Sequence, residues 1–177
     1  EVILGKKTSP ETVARSLDFV AQLRKTPIVV NDSRGFYTSR VFQTFIHEGA
    51  AMLGVGVLPA LIENAACACG FPVGPLALLD EVTVDLPLKI VDQPILEEQA
   101  AYTPPCGTSV LRLMKDELKR PSRKAGGGFY DYPDTGPKRL WKGLQKAFPP
   151  KSEQPDVEVL KRRLLYILAL ETARCYE

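Results

Sequence analysis

Residues 28–41 read IVVNDSRGFYTSRV. An apolar, β-branched run from Ile28 to Val30 meets Asn31, Asp32, Ser33 and Gly35, and a strongly apolar stretch begins at Val41. Strand, polar turn and helix in that order open a dinucleotide-binding fold, and a chain also passes through them when it leaves one. The glycines separate the two cases. A pyrophosphate cradle is spaced G-x-G-x-x-G, because backbone amides must close on the phosphates and a side chain would hold them off. Gly35 stands alone in its turn. The run Gly126-Gly127-Gly128 leads into Phe129-Tyr130-Asp131-Tyr132, which suits a short aromatic strand, and no Lys-Ser/Thr pair follows as a phosphate-binding loop requires. The sequence holds no complete cofactor fold.

Toward the N-terminus, EVILG (1–5) reads as a short buried strand. Ser9 then precedes Pro10 at a first helical position, with Glu11 and Thr12 after it, a well-formed helix start. Val13, Leu17, Val20 and Ala21 recur at helical spacing to about Arg24, and TPIVVN (26–31) is a second strand. Strand, helix and strand make a βαβ unit. Beyond Ser39 the period changes. Phe42, Phe45, Ile46, Gly49, Met52 and Leu53 share one helical face, and helices then start at Pro59, at Pro75, after a cap at Thr83 and after a cap at Ser109. Pro94 is expected to bend or end the third of these, a short helix is expected around Trp141, and a last one from about Val157 carries Leu160, Leu164, Ile167, Leu168 and Thr172 on one face. The fold class is mainly α with a short βαβ unit in front.

Segment 40–54 can be laid over segment 163–177. Arg40, Glu48 and Ala50 match Arg163, Glu171 and Ala173 at one constant offset, so residues 151–177 read as the start of a second helical repeat.

With 45% hydrophobic and 25% charged residues, the 177-residue chain can fill a core. A net charge of +2 gives no basic face of the kind nucleic acid binding needs, and no apolar run approaches the roughly 18–20 residues of a bilayer span. Cys67-x-Cys69, Cys106, Cys175 and the lone His47 fit no zinc spacing, and the thiols read as buried and reduced, as in an intracellular protein. The absence of an initiator Met and the uncapped ETARCYE at the end read as a fragment. His47 lies opposite the Phe42/Phe45 stripe and reads as a surface histidine. Adjacent Asp80 and Glu81 diverge by about 100° on a helix, which suits capping or ion pairing better than joint acid–base work.

Three segments, KTPIVVNDSRGFYTSRV, GFPVGPLALLDEVTVD and RKAGGGFYDY, together resemble the 3-hydroxyacyl-CoA dehydrogenase family in order and separation, over about residues 1–132. The resemblance implies a helical C-terminal domain at 32–150 behind the last part of an NAD-binding Rossmann domain at 1–31, with 151–177 opening the second repeat. Such a repeat resembles the multifunctional fatty acid β-oxidation enzymes, and GFPVGPLALLD favours the acyl-CoA branch over 6-phosphogluconate-type enzymes of similar layout. It implies NAD-dependent oxidation of (S)-3-hydroxyacyl-CoA to 3-ketoacyl-CoA, with NAD held mainly outside these residues and none expected on the fragment alone. The expected partners are the 3-hydroxyacyl-CoA substrate, a second copy of the chain or a thiolase subunit. Residence would be cytoplasmic in a bacterium, mitochondrial or peroxisomal in a eukaryote.

For the chemistry, the family's catalytic histidine acts as base on the 3-hydroxyl and is oriented by a glutamate. That glutamate falls on Glu1, and the histidine is expected about twelve residues upstream of it. The asparagine of the family's GFxxNR, near the substrate's C3 oxygen, is replaced by Ser39, whose hydroxyl donates one hydrogen bond or else caps the helix that follows. Lys124 in KAGGGFY holds the place of a lysine that approaches the cofactor. A catalytically retired helical interaction or dimerisation module is the competing reading, because of Ser39 and the missing glycines.

Overall fold

The computed structural model describes residues 1–97 and 102–176. Strand β1 (Val2–Leu4) and strand β2 (Val29–Asn31) pair in parallel, Val2 opposite Val29 and Leu4 opposite Asn31, with helix α1 (Pro10–Gln22) as the crossover. The Ser9 side chain accepts from the Thr12 backbone N–H at 3.2 Å, an N-cap as the sequence predicts. No residue of α1 is buried, and Phe19 and Leu23 are more than half exposed. This layer therefore presents apolar surface that it does not cover itself.

The helical body is arranged around α2 (Thr38–Gly54), which α4 (Pro75–Val82), α6 (Thr108–Arg112) and α8 (Val157–Tyr176) cover from different sides. Helix α3 (Pro59–Ala68) packs on α4 and α8, and α5 (Asp85–Leu96) lies against α6. Close crossing of α2 and α4 depends on Gly49: a Cβ there would sit 2.3 Å from Pro75. The second half of α2, from Phe45 to Leu53, is buried nearly all round, as a helix apolar on every face must be. One core joins Ile46, Met52 and Leu53 to Leu76 and Leu79, to Leu111 and Met114, and to Leu160 and Leu164 of α8, all fully buried.

Several local expectations are corrected. The helix assigned to a Ser109 cap begins at Thr108, behind Gly107 in a left-handed conformation, and runs on as a π-turn over Leu113–Glu117. Thr83 does serve the next helix, its hydroxyl accepting from Asp85 N–H at 3.2 Å, and α5 continues two residues past Pro94 because the proline lies in its last turn. Trp141 precedes the short helix α7 (Leu144–Ala147) instead of lying in it; β3 (Tyr130–Asp131) and β4 (Arg139–Leu140) form a small antiparallel pair just before it. The thiols are free, but none is buried: Cys67 and Cys106 are exposed, and Cys69 and Cys175 are partly so. Among the described residues no helix is long and apolar enough to cross a membrane.

The weak internal match has a geometric counterpart. Arg40 of α2 donates to Glu171 of α8 through Nε at 2.9 Å and Nη2 at 2.6 Å, while Arg163 of α8 donates to Glu48 of α2 at 2.6 Å. Each arginine lies early in its helix and each glutamate late, so the two helices run antiparallel and exchange equivalent contacts, as the halves of a two-fold interface do. Glu171 is therefore held at 9% exposure with a cation on it, whereas Thr172, assigned to the packed face, is exposed. Glu177, the last residue of the matching segment, lies outside the described residues.

Candidate active-site wall

The turn between β2 and α2 brings the first predicted site residues together. Helix α2 starts at Thr38 without a side-chain cap of its own from Tyr37. Its first amides are met by Glu1 instead. One carboxylate oxygen accepts from the N–H groups of Tyr37 at 3.0 Å and Thr38 at 2.8 Å, and the other accepts from the Thr38 hydroxyl at 2.9 Å. A negative charge at a helix N-terminus satisfies otherwise orphaned donors and interacts favourably with the aligned peptide dipoles. The hydrogen bond from the Thr38 backbone, above all, holds the Glu1 carboxyl below the usual range. Ser39 follows directly. The capping task that competed for its hydroxyl has fallen to Glu1, one strand away.

Ser39 stands at one end of a cleft of about 610 Å³ between α2, α5, the loop before α6, and α8. Gln43 and His47 continue its lining along α2, Ile90 and Val91 come from α5, Cys106 from the loop and Ile167 from α8. His47 is thus not the surface residue that the helical wheel gave: it is 3% exposed. The wheel measured position against one apolar stripe only. The small run Gly49-Ala50-Ala51, which admits neighbours on every side, was the signal that the opposite face is covered too.

Burial pushes the His47 imidazole down to about 4, with only a backbone hydrogen bond at Cys106 favouring its charged form. Burial pushes Asp80 the other way, up to about 6. Their linkage to folding has opposite signs. Between about pH 4 and 6.5 the unfolded imidazole binds a proton that the folded one refuses, so this group stabilises more as pH rises. Asp80 stabilises most below pH 3.8, where both states are protonated, and loses its contribution as pH rises through about 6. Removing the histidine exposes the difference: against wild type, the His47→Gln chain is expected to lose about 3 kcal/mol progressively from pH 4 to 6.5, read from urea midpoints. A difference that stays constant over that range would contradict the assignment.

Behind the cleft, two carboxylates hold the frame. Glu63 of α3 accepts from Leu76 N–H at 2.8 Å, Ala77 N–H at 3.3 Å and the Tyr130 hydroxyl at 2.6 Å, anchoring the N-terminus of α4. Asp80 accepts from Phe129 and Tyr130 N–H, both at 2.8 Å, and from the Tyr132 hydroxyl at 3.0 Å. Glu81, its neighbour, points elsewhere and pairs with Arg123 at 3.1 Å. Arg120 closes the same segment from outside, donating to the Gly128 and Tyr130 carbonyls and to Asp131, with its guanidinium 4.4 Å over the Trp141 ring. Two of the three diagnostic segments are thus framework. Sequence reading missed Glu63, whose position in an Ala-rich helix gave no polar context.

The glycine triplet is committed to this frame. A Cβ on Gly128 would lie 1.8 Å from Asp80 Oδ1, and one on Gly127 would lie 2.5 Å from Arg120 Nη2. Side chains occupy the space that Gly127 and Gly128 leave, so this triplet is not open as a phosphate cradle. Lys124 sits in the exposed 3₁₀ turn Arg123–Ala125 ahead of the triplet and is not among the residues that line the cleft. Of the three predicted site residues, Ser39 lines the cleft, while Glu1, which holds the turn just before Ser39, and Lys124 are not among the residues that line it.

A family model described as the 3-hydroxyacyl-CoA dehydrogenase C-terminal domain matches residues 35–132, and one for the NAD-binding domain of the same enzymes matches residues 1–33. The chain belongs to the 3-hydroxyacyl-CoA dehydrogenase family. Among curated relatives, the fatty acid oxidation complex subunit alpha of Shewanella halifaxensis is 37% identical over the whole chain, and that of Shewanella oneidensis is 42% identical over 75% of it. The chain spans only 25% and 18% of those two relatives. Among solved structures, the (S)-3-hydroxybutyryl-CoA dehydrogenase of Ralstonia eutropha shares 32% identity at a TM-score of 0.63, covering 75% of this chain and 46% of that one. The dehydrogenase part of multifunctional enzyme 1 from C. elegans shares the fold at a TM-score of 0.67 and 22% identity, over 98% of this chain and 39% of that one.

Proposed function

We propose that the whole protein is an NAD-dependent dehydrogenase oxidising (S)-3-hydroxyacyl-CoA to 3-ketoacyl-CoA in fatty acid β-oxidation, and that these residues form the helical wall of its substrate crevice. The observation that carries the reading is the grip of Glu1 on the first turn of α2. On this reading the carboxylate that orients the catalytic histidine also holds the turn just before Ser39, so the group positioning the base and the group facing the C3 oxygen are fixed by one set of contacts. Ser39 donates a hydrogen bond to that oxygen, directly or through water, as charge gathers on it. Lys124 belongs to the cofactor's side of the crevice, and NAD, which supplies the hydride acceptor, is held mainly by residues other than 1–177.

The reciprocal Arg40–Glu171 and Arg163–Glu48 pairs support reading 151–177 as the first helix of a second repeat, as in the multifunctional enzymes. On that reading the domain limits fall near residues 31 and 150, and assembly is with a second copy or a thiolase subunit. The full-length protein is expected to reduce NAD with (S)-3-hydroxybutyryl-CoA, while residues 1–177 alone neither do so nor bind NAD in calorimetry. Micromolar NAD affinity of the isolated chain, or a full-length protein inert toward the thioester, would overturn the reading. The second outcome would favour the interaction module.

A further inference from the structure

The first turn of α2, which carries Ser39, is held from two sides. Glu1 holds it from the strand layer. Helix α8 holds it from the far end of the chain. Glu171 Oε1 accepts from Arg40, the residue next to Ser39, at 2.9 Å from Nε and 2.6 Å from Nη2, and its Oε2 accepts from Arg174 at 3.4 Å. The hydroxyls of Tyr37 and Thr172 lie 3.4 Å apart, a further contact between this turn and α8. Ser39, Arg40, Glu171 and Arg174 all line the cleft. Glu171 is 9% exposed, so little water competes for Arg40, and an ionised pair of this kind is strong and directional. The stem of Arg40 is confined as well. Its N–H donates to the Gly35 carbonyl at 3.2 Å, and a Cβ on Gly35 would lie 3.2 Å from Arg40 Cγ. With its backbone, stem and tip all fixed, Arg40 ties the orientation of the turn to α8.

We infer that Glu171 is a positioning residue for the dehydrogenase reaction: through Arg40 it fixes the first turn of α2 and thereby the aim of Ser39. The inference rests on the reading that Ser39 faces the C3 oxygen, and it makes α8 part of the catalytic frame. The second ion pair between the same helices supplies the comparison. Arg163 donates to Glu48 at 2.6 Å, and the burial matches, with side-chain exposures of 40% and 16% against 36% and 12% for Arg40 and Glu171. Arg163 is not among the residues that line the cleft, and Glu48 lies roughly 13 Å of helix beyond Ser39. One pair is thus placed to aim Ser39, and its counterpart of like geometry is not.

The test is a double-mutant cycle in steady-state kinetics of the full-length protein with (S)-3-hydroxybutyryl-CoA and NAD. Glu171→Gln is expected to lower kcat by roughly threefold to tenfold with a smaller change in KM, and Arg163→Gln, which breaks the counterpart pair, to leave kcat at the wild-type level. In a Ser39→Ala background, Glu171→Gln is expected to change kcat by less than about twofold, because no hydroxyl is left to aim. Arg40→Gln is expected to behave as Glu171→Gln does and serves if the latter does not fold. Where Ser39→Ala lowers kcat, three results overturn the inference alone: full kcat in Glu171→Gln, an equal fall in Arg163→Gln, or a Glu171→Gln effect of the same size with and without Ser39. Unaltered kcat in Ser39→Ala, or a wild type inert toward the thioester, overturns it together with the reading it rests on.

Discussion

Gly128→Ala is expected to lower the stability of the chain by about 3 kcal/mol or more. The alanine methyl would have to occupy the position of Asp80 Oδ1, 1.8 Å away, and the displacement propagates at once. Asp80 is 1% exposed and holds the amides of Phe129 and Tyr130 together with the Tyr132 hydroxyl. If it rotates away, three donors lose their acceptor, and Phe129, fully buried, is pulled from the core with its backbone. Gly126→Ala is the control, since among the described residues nothing lies within 4 Å of the point its methyl would reach, although its left-handed backbone still makes the change cost about 1 kcal/mol. Equal urea midpoints for the Gly126 and Gly128 variants would show that the Asp80 cradle does not bear on stability.

The same cradle explains how much of this molecule was legible in its sequence. Helix starts at Pro10, Pro59 and Pro75 followed from local chemistry, because a cap or a proline acts on its own backbone within a few residues. The exit from the nucleotide layer, read at residues 31–39, rested on the same kind of signal, one glycine where three would be needed, and the two family models meet within it. Glu63, Asp80 and His47 were not legible in their roles. Each takes its role from partners dozens of residues away: Tyr130 for Glu63, Phe129 for Asp80, and for His47 the α5 and α8 walls of a cleft. A helical wheel assigns a face to a residue but not what comes to cover that face. The match between 40–54 and 163–177 stood between these cases. Three identities were slight as a sequence signal, yet two of them were the arginine–glutamate spacing that lets α2 and α8 exchange ion pairs.

The catalytic assignment concentrates on the start of α2. A serine there is shorter than the amide that the family places at this point, so on the proposed role its hydrogen bond to the C3 oxygen would depend on how the first turn is aimed. Glu1 holds that turn by accepting from the Tyr37 and Thr38 backbone N–H groups and from the Thr38 hydroxyl. A donor that strengthens as charge develops on oxygen acts on the transition state more than on the bound substrate, so its loss appears in kcat. The decisive measurement is steady-state kinetics of the full-length protein with (S)-3-hydroxybutyryl-CoA and NAD, comparing wild type with Ser39→Ala and Ser39→Asn. Ser39→Ala is expected to lower kcat by roughly tenfold to a hundredfold with a smaller change in KM, and Ser39→Asn to restore activity to wild-type level or above. Unaltered kcat in the alanine variant would contradict this role, because a residue facing the reacting oxygen cannot be removed without effect.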